Sequence, residues 1–74
     1  MILNIVHIDI FWINYGAQVR AVGWDMSYEA SQNLDVSGLV GPFDADDTIR
    51  ANVSARFLEM GHTLTPGMTW SIEQ

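Results

Sequence analysis

His7 and Asp9 stand two residues apart in the run IVHIDIFWI, residues 5–13. In a strand, that spacing puts both side chains on one face, where they can hydrogen-bond or share a metal ion. A metal centre or hydrolytic site also needs a third ligand or a nucleophile, and His62 is the only other histidine. The pair is therefore read as a partly buried polar pair. Asp44, Asp46 and Asp47 suggest a cation loop at first sight. A calcium hand, however, needs alternating oxygen ligands, a glycine at its sixth position and a bidentate Glu at its twelfth; Ile49 stands at the sixth. Helix capping explains these acids better. Gly38, Gly41 and Gly61 form no phosphate-cradling GxGxxG, and Ser and Thr occur without a triad context. The chain has no cysteine, so thiolate catalysis, cysteine–metal sites and disulfides are excluded. Trp12, Trp24 and Trp70, with Tyr15 and Tyr28, could make a ligand platform; in a small domain such aromatics more often fill a core or an interface. The reading is of a non-enzymatic chain with no catalytic residue, cofactor, metal or small-molecule substrate.

The elements that would carry these residues follow from pattern. Residues 2–13 are rich in Ile, Val, Phe and Trp and predict a strand. Asn14-Tyr15-Gly16 is a turn signal. Residues 18–29 predict a second strand with Val22, Trp24, Met26 and Tyr28 on the apolar parity (Trp24, with Trp12, is core if that side faces the helix), Val19 and Ala21 on the polar parity, and a bulge at Gly23. After a turn at Ser31-Gln32-Asn33, Leu34–Val40 predicts a third strand with Leu34, Val36 and Leu39 facing inward. A helix is predicted over 44–60: Asp44 as N-cap, Asp47 completing a capping box, Ile49, Val53, Phe57 and Met60 as one stripe, and Gly61 as the left-handed stop. After Pro66-Gly67, Met68–Ile72 alternates as a last strand. The expected class is α+β, β1-β2-β3-α-β4, a small mixed sheet in order 3-2-1-4 with the helix on one face.

Composition sets the frame. Seventy-four residues make a single domain, 1–74, with one modest core. Hydrophobic residues make up 49% and charged residues 16%, which argues against disorder. Three Arg, no Lys and nine acids leave a net charge of −6, too acidic for direct nucleic-acid or anionic-membrane binding. The apolar start has no basic n-region and is interrupted by His7 and Asp9, so neither a signal peptide nor a transmembrane segment is expected.

One helix covers one face of such a sheet. Yet in residues 5–13 both parities are largely apolar, where a sheet covered on one side should be apolar on one parity only. Ile5, Phe11 and Ile13 need other cover, which makes Ile5, His7, Asp9, Phe11 and Ile13 a candidate interface for a protein partner, self-association or a larger assembly. The alternative is that β1 curls, so that both parities meet one core.

From about Leu34 onward the chain is similar to small orphan proteins encoded by tailed bacteriophages. The resemblance rests on a strand ending in GPFDADDT, a helix with spaced Ile, Val and Phe ending in MG, and a turn before a terminal strand. It implies a phage gene product, located in the virion or the host cytoplasm, and carries no functional residues across. The implied roles are a virion structural component that assembles through its sheet face, or a small acidic inhibitor of a host defence complex, anti-CRISPR-like.

Overall fold

The computed structural model describes residues 2–13 and 18–73. Strands β1 (Asn4–Ile13), β2 (Gln18–Trp24) and β3 (Ser31–Asp35) precede helix α1 (Asp46–Glu59) and strand β4 (Thr63–Ile72). The sheet order is β3-β2-β1-β4, with β1–β2 and β2–β3 antiparallel and β1–β4 parallel. This is the expected α+β class and strand order, with the helix on one face. No described helix is long and apolar enough to cross a membrane. The expected turn at Asn14-Tyr15-Gly16 lies outside the described residues.

The helix is held by its apolar stripe. Ile49, Val53 and Phe57 are each fully buried, whereas Met60 is 43% exposed and falls off the stripe. Its C-terminus closes as a Schellman motif. Gly61 takes φ +92° and donates to the Leu58 carbonyl, while the His62 N–H reaches the Phe57 carbonyl. The His62 ring meets the Phe57 ring edge-on, with centroids 6.0 Å apart, and is itself buried. Its Nδ1 accepts the Leu3 N–H at 3.1 Å, so this histidine ties the helix exit to the start of the chain. The N-terminus departs from expectation. Ala45 is the N-cap, without a side-chain cap bond; Asp44 instead accepts the Gly41 N–H at 2.7 Å and closes the preceding turn. Asp46 and Asp47 still lie in the first turn, where the macrodipole favours acids.

The faces of β1 and β2 depart further. The core positions along β1 are Leu3, Ile5, Ile8 and Ile10, so the inward parity switches between Ile5 and Ile8. At that point the pairing with β4 jumps from Ile5↔Leu64 to His7↔Thr69. Two steps on β1 oppose five on β4, and Pro66-Gly67 lies in the surplus. Ile5 is therefore not on the second face. It is fully buried in the core, turned inward by this irregularity.

On β2 the parity is the reverse of the expected one. Val19 and Ala21 are buried against the helix, and Trp24 lies on the opposite face, as its bond to Asp9 requires. β2 ends at Trp24, and Asp25–Ala30 is a loop, with Met26 and Tyr28 exposed. β3 begins at Ser31, so the expected turn at 31–33 is strand. Of its expected inward residues, Val36 is buried and Leu34 packs on the core, but Leu39 is 42% exposed.

Gly23 explains the reversal, and it is not a bulge, because the β1–β2 register runs through it without a break. A Cβ at Gly23 would stand 2.8 Å from Ile5 Cδ1 and 3.1 Å from the Phe57 ring. Gly23, on the same face as Val19 and Ala21, has no room for a side chain because Phe57 and Ile5 occupy the space above it. Gly23→Ala is expected to destabilise the fold by about 1–3 kcal/mol through overpacking, read as a lower urea midpoint. An unchanged midpoint would mean the helix stands further from the sheet.

Candidate functional site: the helix-free sheet face

On the face away from α1, three strands place side chains in a small grid. Thr69, His7 and Trp24 share the first row; Ser71, Asp9 and Val22 share the second. Phe11 and Arg20 share the third, which Glu73 joins through its N–H bond to the Ile10 carbonyl at 3.0 Å. Alternation brings Ile13 to the same face one row further along.

A hydrogen-bonded chain crosses the first two rows. Trp24 Nε1–H donates to Asp9 Oδ2 at 2.9 Å, and His7 Nε2 lies 2.8 Å from Asp9 Oδ1. A carboxylate only accepts, so Nε2 carries the proton. In the neutral ring, Nδ1 then accepts from the Thr69 hydroxyl at 2.6 Å. The ring of Tyr28 stands 6.4 Å from His7 and 6.5 Å from Trp24, centroid to centroid. Tyr28 takes φ +58°, a conformation that costs an aromatic residue about 1–3 kcal/mol. The Asp25 loop holds it there: the Tyr28 N–H donates to the Asp25 carbonyl, and Asp25 Oδ1 accepts from Ser27 and Ala30.

The expected His7–Asp9 pair thus forms. It is wired to Trp24 and Thr69, and no group of three metal-ligating side chains gathers among the described residues. His62 is far from it in role, serving the helix exit. Beside the pair opens a cleft of about 440 Å³, lined by Asp9, Phe11, Val22, Trp24, Ser71 and Glu73, with the Ile10 backbone strand as its floor. Its lining combines two carboxylates and a hydroxyl with aromatic and aliphatic groups.

Of the expected interface residues, His7, Asp9 and Phe11 are brought together here and Ile13 extends the row, while Ile5 is in the core. Trp24, Thr69 and Glu73 were absent from the sequence reading of this face. The small file Val19-Ala21-Gly23 is a signal for Trp24 alone, since it assigns the opposite parity of β2 outward; Thr69 and Glu73 follow only from the β1–β4 register. The far face is half-covered by the chain's own side chains: Val22 is only 8% exposed, beside the Trp24 indole.

Arg20 stands across from Asp35 on β3. Asp35 is held below the ordinary carboxylate range first by the Ser37 hydroxyl and N–H, with the charge of Arg20 a lesser cause. Among the described residues no carboxylate lies within salt-bridge distance of Arg20; the ion pairs found are His7–Asp9 and Arg56–Glu59.

No protein-family model, curated protein or solved structure matches the chain.

Proposed function

We propose that the chain is a non-enzymatic protein-interaction or assembly module that works through its helix-free sheet face. The observation that carries this reading is Phe11. It lies on a face bare of any helix, beside a cleft walled by Trp24, between an acidic and a basic side chain. Apolar and aromatic groups at the centre of a surface with polar groups around them are the usual make-up of an interface core and rim. The His7–Asp9–Trp24 chain serves it by fixing the indole. In a phage setting the role is that of a head or tail component, within the virion or the host cytoplasm. No nucleic acid, membrane, cofactor or small-molecule substrate is involved.

Phe11→Asp tests the reading. Its side chain points away from the helical layer, so the variant should keep a wild-type circular dichroism spectrum. It should lose association at least tenfold, as measured by light scattering coupled to size exclusion. A wild type that stays monomeric at millimolar concentration and captures no protein from a phage particle, or a Phe11→Asp variant that still associates, would overturn it.

A second reading has its own observation. Phe43 is 99% exposed and is followed by Asp44, Asp46 and Asp47. An apolar anchor ringed by acids suits a basic protein surface, as an inhibitor of a host defence complex would need. Phe43→Ala would then remove inhibition while leaving the assembly behaviour of the sheet face unchanged.

A further inference from the structure

The third row of the open face reads Glu73, Phe11, Arg20, Asp35: an acid next to the aromatic ring on one side, and on the other a base with an acid beyond it on the outer strand. β4 and β2 flank β1 in the sheet order, so Glu73 and Arg20 are set on opposite sides of Phe11. A two-fold axis lying above Phe11, inclined to β1 by half the crossing angle of about 30° usual between packed sheets, exchanges left and right. It would bring Arg20 of each copy over Glu73 of the other and set the two Phe11 rings together at the axis.

We propose that the occupant of this face is a second copy of the chain, in an isologous dimer centred on Phe11 and closed by two reciprocal Arg20–Glu73 pairs. The proposal rests on the reading of the face as an interaction surface and adds its partner, symmetry and charge pairs. Three observations support the second copy. First, the face is complementary to itself: its acid and base are equidistant in strand count from the apolar centre, which is what a two-fold contact requires. Second, Arg20 forms no close ion pair within its own chain among the described residues: its cross-strand neighbour Asp35 is bonded twice by Ser37 and feels the Arg20 charge only as a lesser influence. Third, the like charges that the axis brings near each other are muted. The oxygens of Asp9, one row from Phe11, are engaged by His7 and Trp24 of its own chain. Packed sheets also cross at about −30°, so rows away from the centre slide past rather than meet head-on.

Charge reversal tests the geometry. The variants are Arg20→Glu, Glu73→Arg and the double variant carrying both, with Arg50→Glu on the helix as a control of equal charge change. Each single variant at the sheet face should weaken dimerisation about tenfold or more, by sedimentation or light scattering across a concentration series. The double variant should restore it to within about threefold of wild type, and Arg50→Glu should leave it unchanged. Amide NMR spectra confirm that each variant is folded, and a folded Arg20→Ala variant with the same loss guards against a purely local effect of reversal at Arg20. A double variant no better than either single variant would overturn the reciprocal pairs, while loss of the dimer in Phe11→Asp alone would leave the interaction face standing. An open series of larger oligomers would overturn the two-fold closure, and a strictly monomeric wild type would overturn the second copy altogether.

Discussion

Ile10→Asp should leave the chain unfolded at 25 °C, with a random-coil circular dichroism spectrum and collapsed amide dispersion. Ile10 is fully buried, packed in one cluster with Ile8, Ala21, Ile49 and Val53. A carboxylate there has no described cation or donor cluster to meet it, and an unpaired buried charge costs several kcal/mol beyond the lost apolar burial. A chain of 74 residues has roughly 4–11 kcal/mol of total stability to lose. The contrast with Phe11→Asp, one residue along on the opposite face, makes the pair diagnostic. The same charge at adjacent positions should abolish the fold in one and only association in the other. If both variants unfold equally, Phe11 belongs to the core and the second face does not exist as described.

Phe57→Ala is expected to cost about 3–5 kcal/mol, the range for deleting a fully buried aromatic side chain. Phe57 is the point where three parts of the fold meet. Its ring lies over Gly23, it takes the His62 ring on its edge, and its carbonyl accepts the N–H that completes the helix stop. Part of the void would be relieved by Ile5 moving over Gly23, which favours the lower end of the range. Urea denaturation reads the effect directly. Leu58→Ala, at a neighbouring position that is 55% exposed, should fall within about 0.5 kcal/mol of wild type. Similar losses in both variants would mean that the helix stripe is rotated from its described orientation.

The helix was legible because its signals are local. Ile49, Val53 and Phe57 share one face at helical spacing, and Gly61 stops the turn by conformation alone. The strand order was legible from the connections, since a meander followed by a crossover leaves few arrangements. The parity of β2 was not legible from hydrophobicity. Val22, Trp24, Met26 and Tyr28 outweigh Val19, Ala21 and Gly23 in apolar content, yet the lighter file faces the core, because Phe57 and Ile5 already fill the space above Gly23. Volume on the opposing element decided the matter, and volume is not a property of the strand itself. Ile5 was misplaced for a related reason. Strict alternation holds only while the ladder is regular, and the surplus residues that break it lie on β4, far away in sequence. The candidate face was legible in His7, Asp9, Phe11 and Ile13. Its Trp24, Thr69 and Glu73 could be found only once the registers of β2 and β4 were known.

The break in β4 has a consequence for what the chain avoids. Sheet margins normally invite templated growth, in which one molecule after another adds a strand to an unpaired ladder. Here one margin carries Pro66, which has no N–H to offer, inside a stretch whose register has already slipped. The other margin, Ser31–Asp35, spans only five residues and is mostly polar. Both features disfavour fibre-like propagation along the hydrogen-bonding direction in a sequence with 49% hydrophobic residues. In the proposed dimer the molecules would stack broadside, and a stack that consumes the bare side of each molecule would end at two.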